Sequence, residues 1–155
     1  MIWIIIAALV IVIDRISKYI IESNVEYGQM ISVIDNIFYI THHQNKGAAW
    51  GILQNGRIFF IILTPIIAVA IIYFIFKPES KFLKLALSFV LGGAAGNYID
   101  RVLKGEVTDF LQVFIGTYPF PIFNIADSSI VLGTILLAIY LLFMHKEQKE
   151  KDIKN

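Results

Sequence analysis

Four long runs of apolar residues dominate the chain, at residues 2–21, 58–76, 82–99 and 122–144. A helix of ~20 mostly apolar residues is long enough to cross the ~30 Å hydrocarbon core of a bilayer. The pattern therefore predicts a mainly α, polytopic membrane protein with four transmembrane helices. The first run has no basic segment before it and no A-x-A pattern before Asp14, so we expect a retained helix and not a cleaved signal peptide.

The segments between the runs, residues 22–57 and 100–121, contain shorter patterns. In the first, the stretches 30–33 and 37–40 are bounded by turn-forming residues and predict a small extracytoplasmic β-sheet on the membrane surface. The second contains glycines and prolines, which predict a broken, loop-rich stretch able to act as a lid. No internal repeat divides the chain, so all 155 residues are expected to form one membrane-integral domain.

Lysine and arginine residues are unevenly distributed among the connections, which predicts the orientation in the membrane. Lys77, Lys81 and Lys84 follow the second run, and four further lysines follow the last run. The long first connection carries only Lys46 and, at its edge, Arg57. Because cytoplasmic connections are enriched in these residues, both termini should be cytoplasmic and the two long segments should lie outside.

Composition agrees with a lipid-facing protein and excludes several other classes. Hydrophobic residues make up 57% and charged residues 16% of the chain, with a mean hydropathy of +0.73, whereas a soluble domain is ~25% charged. The net charge of +1 gives no basic excess of the kind that binds nucleic acid. The absence of cysteine removes disulfides, thiol nucleophiles and thiolate metal ligands. No zinc-ligand spacing, phosphate loop or dinucleotide fingerprint is present, so neither a cofactor nor a metal is expected.

Six ionisable residues fall at or near membrane depth, where each costs at least ~2.5–3.5 kcal/mol on insertion scales. They are Asp14, Lys18, Asp100, Arg101, Asp109 and Asp127. All six lie toward the outer ends of the predicted helices or in the outer segment, and therefore at one level of the membrane. This shared level predicts a functional site.

Two groups of these residues have helical spacing. Asp14 and Lys18 are four residues apart and share a helix face, either as a salt bridge at the helix end or as a contact for substrate or lipid. Asn97 lies three residues before Asp100, and Arg101 follows. We expect these three to form a hydrogen-bonded buttress at the end of a helix.

Asp109 and Asp127 have surroundings suited to acid–base chemistry. Asp127 lies about five residues inside the fourth run, ~8 Å along a helix from its outer end, with Asn124 one turn earlier. Asp109 lies in an apolar stretch of the outer segment. Two carboxyls in a poorly hydrated site share a proton, so one can activate water while the other polarises a carbonyl, as in an aspartic protease. The alternative is that each aspartate caps a helix or bonds a loop amide, because spacing alone does not show that the two meet.

Five motifs occur in order over nearly the whole chain. They are Asp14-Arg15-Ile16-Ser17-Lys18, Asn45-Lys46-Gly47-Ala48-Ala49-Trp50, Gly92-Gly93-Ala94-Ala95-Gly96-Asn97-Tyr98-Ile99-Asp100-Arg101, Val107-Thr108-Asp109-Phe110 and Phe123-Asn124-Ile125-Ala126-Asp127. Together they resemble the bacterial lipoprotein signal peptidases, also called signal peptidase II. The chain departs mildly from that family at Arg15 and Ser17, where glutamine and threonine are commoner, and at Trp50, where phenylalanine is common. These departures bear on substrate fit.

The resemblance implies an intramembrane aspartic endopeptidase with Asp109 and Asp127 as its catalytic dyad. It implies a prolipoprotein substrate, cut before a diacylglyceryl-modified cysteine, and a place in the bacterial cytoplasmic membrane with the active site toward the outer face. It also implies a short helix within an outer loop. The residues expected to bind substrate or support the site are Asp14, Lys18, Asn45, Gly47, Asn97, Asp100, Arg101 and Asn124.

Alternatives to a peptidase remain open on the residues alone. A small proton- or ion-coupled transporter also uses membrane aspartates, although here they cluster at one level and form no path across the bilayer. A non-catalytic membrane scaffold would leave the buried carboxyls unexplained. His42 and His43 are the only candidates for a metal site, and adjacent loop histidines are more often surface residues. Gly92 and Gly96 form a G-x-x-x-G pair that indicates close helix packing within a monomer, with membrane lipids as the other partners.

Overall fold

The computed structural model describes residues 1–47, 56–77 and 80–144 and is mainly helical, with a small antiparallel sheet. Trp50 of the second motif and the lysines of the tail lie outside the described residues. In chain order the elements are α1 (Ile2–Asn24), β1 (Met30–Ile34), β2 (Phe38–Asn45), α2 (Arg57–Phe76), α3 (Lys81–Leu103), β3 (Val107–Ile115), β4 (Tyr118–Pro119) and α4 (Ile125–Ile139), which continues into a π-helical turn (Tyr140–Met144).

Helix α3 is the centre of the helical bundle and contacts each of the other three helices, α4 most extensively. Its glycines allow this. A Cβ added at Gly92 would lie 2.8 Å from the carbonyl oxygen of Ala7 in α1, and one at Gly93 would lie 2.3 Å from that of Ala126 in α4. The close helix packing predicted for the glycines of this helix is confirmed, because only glycine permits these backbone approaches.

Three of the described helices, α2, α3 and α4 with its π-helical turn, are long and apolar enough to cross a membrane. On α2 the side chains of Ile58, Ile62, Ile66 and Val69 form an exposed apolar row on one face. Such a row suits contact with lipid. Helix α1, the predicted first span, has 23 residues but carries charged residues in its second half. The fold is therefore that of a membrane protein with three candidate membrane helices.

Two helices extend beyond the limits predicted from the apolar runs. α1 continues to Asn24 and α3 to Leu103, because an apolar run marks only the lipid-facing part of a helix and polar residues can continue it. Asp100 and Arg101 consequently lie in the last turn of α3 and not in the outer segment.

Helix α4 begins later than its apolar run. Phe123 pairs with Leu111 of β3 through backbone hydrogen bonds, so residues 122–124 are extended and the helix starts at Ile125. As a result Asp127 lies in the first turn of α4 and not five residues inside it.

The sheet has the order β1-β2-β3-β4, and all its pairs are antiparallel. β1 and β2 include the stretches predicted as strands. The loop-rich stretch predicted for the second outer segment is wrong, because β3 pairs along β2 and its first four residues, 107–110, are buried. Its role as a lid stays a prediction. Gly105 and Gly116, both at positive φ, lie in the turns that flank β3. The described outer segments contain no separate short helix, and because residues 48–55 lie outside the description, that helix stays a prediction.

Candidate active site

Asp127 is held in the first turn of α4 by a capping box. Asn124 is the N-cap residue, and its side-chain Oδ1 accepts a hydrogen bond from the Asp127 N–H at 2.9 Å. In return Asp127 Oδ2 accepts from the Asn124 N–H at 3.2 Å. Asp127 thus does cap a helix, as the alternative interpretation allowed. Its second oxygen, Oδ1, accepts a hydrogen bond from Asn97 Nδ2 at 2.7 Å.

Asp109 lies on β3, paired with His43 of β2, and is only 2% exposed. Its Oδ2 accepts from Asn45 Nδ2 at 2.9 Å and its Oδ1 from Asn124 Nδ2 at 2.6 Å. Burial, together with the nearby charge of Asp127, raises the pKa of Asp109 from 3.8 to about 7, against the lowering effect of these two hydrogen bonds. Asp109 can therefore hold a proton near neutral pH.

Asn124 brings the two aspartates together, because its backbone N–H bonds Asp127 while its side-chain amide bonds Asp109. Each carboxyl receives two N–H donors in total. The side-chain amides of Asn45, Asn97 and Asn124 cannot be rotated to exchange their oxygen and nitrogen, because each Oδ1 accepts from a group that only donates. These anchors are the Gly47 N–H for Asn45 (2.9 Å), the Asp127 N–H for Asn124 (2.9 Å) and the Lys18 ammonium for Asn97 (2.9 Å).

Lys18 is fully buried and forms the centre of an ionic cluster behind the aspartates. Its Nζ lies 2.8 Å from Asp14 Oδ2 and 2.8 Å from Asp100 Oδ2. The predicted pair of Asp14 and Lys18 is present, within the bundle. Arg15 also pairs with Asp100, and Asp14 Oδ1 accepts from the backbone N–H of Ala126 at 3.0 Å. The cluster therefore ties α1 and α3 to the first turn of α4.

The three residues predicted to form a buttress at the end of α3 each bond a neighbouring element, but they do not bond one another. Asn97 bonds α4, Asp100 bonds α1, and Arg101 extends toward the end of β2, where its guanidinium donates to the Gly47 carbonyl oxygen at 2.9 Å. The same guanidinium lies 4.3 Å from the ring centre of Phe60. Residues three and four apart on a central helix thus contact different neighbours.

Arg57 contributes to the site in a way that sequence reasoning missed. Its Nε donates to the carbonyl oxygen of Arg101 at 2.9 Å and its terminal nitrogen to that of Val102 at 3.2 Å. Arg57 therefore satisfies free carbonyls at the end of α3 and holds Arg101 in place. A basic residue near a helix end is a sequence signal for a contact with the free carbonyls there. Arg57, however, lies 44 residues from Arg101, on another helix.

The two adjacent histidines lie on β2, and His42 Nδ1 is 2.9 Å from the Val25 carbonyl oxygen. Both rings pack near Tyr27. Within residues 1–47, 56–77 and 80–144, no three side chains of His, Asp or Glu gather where they could hold a metal ion.

A cavity of about 590 Å³ borders both carboxyls. Its polar lining includes Asn45, Asn97 and Arg101, and most of its remaining lining is apolar. The apolar part comes from the segment 120–123 before α4 and from one face of α4 itself. Two buried or partly buried carboxyls thus border a mostly apolar cavity.

Comparison with known proteins agrees with this geometry. Residues 6–143 match the family model described as signal peptidase (SPase) II. Two bacterial membrane enzymes, solved by the in meso method at 2.3 and 1.9 Å resolution, are 48% and 47% identical to the chain, with TM-scores of 0.85 and 0.83. The alignments cover 90% and 92% of this chain and 87% and 93% of theirs. The chain belongs to the signal peptidase II family, the aspartic peptidases of bacterial membranes that remove signal peptides from lipoproteins.

Proposed function

We propose that Asp109 and Asp127 are the catalytic dyad with which this peptidase cuts prolipoproteins before a diacylglyceryl-modified cysteine. The observation that carries this proposal is the bonding of both carboxyls by Asn124, at the wall of one cavity. Membership of a peptidase family excludes the transporter and scaffold alternatives.

The chemistry needs one ionised and one protonated carboxyl. The ionised aspartate takes a proton from a water molecule, whose oxygen attacks the carbonyl carbon before the lipidated cysteine. The protonated partner donates its proton to the developing oxyanion. As the tetrahedral intermediate collapses and the C–N bond breaks, the amine of the cysteine leaves with the proton that came from water, and one hydroxyl of the intermediate returns its proton to the ionised partner, which restores the dyad. The amides of Asn45, Asn97 and Asn124 hold the two carboxyls in place throughout.

The apolar wall of the cavity supports a lipid-modified substrate. Ser128, Val131, Leu132 and Ile135 line it from α4 at helical spacing, along ~10 Å of the helix axis. Val131, Leu132 and Ile135 remain 43–57% exposed. A signal helix or an acyl chain would cover these side chains and bring the peptide bond to Asp109 and Asp127.

The remaining site residues act as supports. Asp14, Lys18 and Asp100 hold α1 and α3 against the first turn of α4. Arg101 and Gly47 connect the end of α3 to the segment after β2, close to Asn45. None of these groups needs to change its protonation state during turnover.

α1 is the fourth membrane span in this proposal, and its charged residues do not argue against that. Ile5, Leu9, Ile16 and Ile20 are more than half exposed and form an apolar stripe suited to lipid. Asp14 and Lys18 lie on the opposite, buried face of the helix, where they are paired. Both termini are then cytoplasmic, and the sheet and the dyad lie at the outer face of the bacterial cytoplasmic membrane. The enzyme works as a single-domain monomer surrounded by lipid.

The dyad is tested with Asp109→Asn and Asp127→Asn, assayed in detergent on a lipid-modified precursor peptide. Each variant should fold normally and lose at least ~10³-fold in turnover, because neither amide can exchange a proton with water or the oxyanion. Asp35→Asn, at an exposed turn between β1 and β2, is the matched control and should retain full activity. Near-normal turnover by either dyad variant would overturn the assignment.

Treatment with EDTA tests the metal-free mechanism on the same substrate. The dyad uses only carboxyl and amide groups, so turnover should be unchanged. Activity lost on chelation and restored by zinc would instead indicate a metallopeptidase.

A further inference from the structure

The buried ammonium of Lys18 contacts three different residues. It forms ion pairs with Asp14 Oδ2 and Asp100 Oδ2, each at 2.8 Å, and donates a hydrogen bond to Asn97 Oδ1 at 2.9 Å. Because an ammonium has three donors and no acceptor, Asn97 must turn its oxygen toward Lys18. Its Nδ2 group is then directed at Asp127, 2.7 Å from Oδ1.

This connection distinguishes the two aspartates. The amides that serve Asp109 are anchored by neutral peptide N–H groups, whereas the amide that serves Asp127 is anchored by a cation. A hydrogen bond polarised by a charge favours an ionised acceptor. The N–H groups at the start of α4 act in the same direction, because the N-terminus of a helix stabilises a carboxylate.

Burial separates the two carboxyls further. Asp109 is 2% exposed on the buried part of β3, whereas Asp127 is half-buried beside the exposed Ser128. The less hydrated position disfavours the charge. The charged groups that interact with the dyad are Lys18 and Asp14 on α1 and Arg101 on α3.

We propose that Lys18 is a positioning residue that acts through Asn97 to keep the negative charge of the dyad on Asp127. Asp127 is then the general base that activates water, and Asp109 is the acid that protonates the oxyanion. This proposal rests on the dyad proposed above and adds to it the location of the proton and the residue that determines it.

The test compares the single variant Asp14→Asn with the double variant Asp14→Asn/Lys18→Met. Because Asp14 is neutral in both variants, removal of the ammonium leaves no unpaired carboxylate at position 14. In the double variant Asp100 keeps Arg15, and residue 14 keeps an oxygen for the Ala126 N–H. Without the ammonium the acid limb of the pH profile of kcat/KM should move to higher pH by about one unit, a tenfold change in proton affinity. KM at the pH optimum should stay nearly constant.

Arg15→Gln is the matched control, because it removes a cation from Asp100 without touching Asn97. Its acid limb should coincide with that of the wild type. A rate that falls equally at every pH on loss of Lys18 would mean a purely structural role and would overturn the proposal.

Asn97→Leu tests whether Lys18 acts on Asp127 through the Asn97 side chain, and it leaves the ion pairs of Lys18 in place. It should move the acid limb in the same direction, and Lys18→Met added to Asp14→Asn/Asn97→Leu should move it no further. An additional full shift would show that Lys18 acts independently of Asn97, contrary to the proposal.

Infrared spectroscopy locates the proton without an activity assay or a change at Lys18. At about pH 6, one unit below the pKa of about 7 of Asp109, the absorption of a protonated carboxyl should be lost in Asp109→Asn and retained in Asp127→Asn. The reverse pattern would place the proton on Asp127 and overturn the proposal. Failure of the dyad itself would appear differently, as turnover retained by one of these two variants.

Discussion

At the residue scale, the two carboxyls receive equal numbers of hydrogen bonds but have different surroundings. Asp109 sits on a buried strand, where burial raises its pKa to about 7. Asp127 begins a helix and borders the cavity. A pair of chemically identical groups can therefore divide the roles of acid and base, because their environments differ.

The raised pKa of Asp109 predicts a loss of activity in alkaline solution. Asp109 is protonated below pH about 7 and loses its proton as the pH rises through that value. Since the proposed mechanism needs this proton, kcat/KM should fall above neutral pH with a slope of one proton. A measurement of kcat/KM from pH 5 to about pH 10 checks this, because kcat/KM reports the groups of the free enzyme, and a flat profile above pH 7 would contradict it.

Asn45→Ala should shift this alkaline limb to higher pH by about one unit. The Asn45 amide bonds the Asp109 carboxylate and lowers its pKa, so its removal makes the proton harder to lose. Asn24→Ala, an exposed substitution at the end of α1, is the control. A shift of the limb to lower pH would contradict the assigned direction.

At the scale of the elements, α3 places the supporting groups, because it is close enough to its neighbours for short side chains to reach across. Gly93 meets the start of α4 and Gly96 meets Asp14 of α1. The first turn of α4, with Asp127, is therefore positioned by backbone contact as well as by its capping box.

Gly93→Ala should destabilise the protein and slow turnover. The new methyl group would lie 2.3 Å from the Ala126 carbonyl oxygen, so α4 must move. Overpacking costs ~1–3 kcal/mol, partly offset by the ~1 kcal/mol helix preference of alanine over glycine. Thermal unfolding and kcat should both be measured, and an unchanged Tm with normal kcat would show that α4 is not held this closely.

At the scale of the whole molecule, the sheet and the bundle of helices meet at the two carboxyls of the proposed dyad. β3 supplies Asp109 and α4 supplies Asp127, and the short extended segment before α4 pairs with β3. Asn124, at the junction, contacts both carboxyls. Movement of the sheet relative to the bundle would separate the acid from the base.

The proposed topology is testable because the chain has no cysteine of its own. Asp35→Cys, at an exposed turn between β1 and β2, should react in intact cells with a thiol reagent that cannot cross the membrane. Lys81→Cys, exposed at the start of α3, should react only after the cells are opened. Labelling of position 81 in intact cells would show that the orientation is the opposite of the one proposed.

The sequence by itself determined the features that depend on neighbouring residues. Apolar runs long enough for lipid, the four-residue spacing of Asp14 and Lys18 and the first two strands are all properties of short segments. Five motifs in order then indicated the family, which the comparisons confirmed. Three of the four apolar runs are confirmed as helices long enough for a membrane, and the Asp14–Lys18 pair and the first two strands are present. These features follow from local backbone geometry, which sets helix periodicity and hydrophobic length.

The tertiary structure alone decided which distant groups meet. The segment of β3 is rich in β-branched and aromatic residues between Gly105 and Gly116, a strand signal that the loop prediction overlooked, but only the folded chain pairs β3 with β2. The separate directions of Asn97, Asp100 and Arg101 follow from the three neighbours packed around α3. The contact of Lys18 with Asn97 spans 79 residues of sequence. Such contacts depend on how whole elements pack, and packing is a property of the folded chain that no single segment encodes.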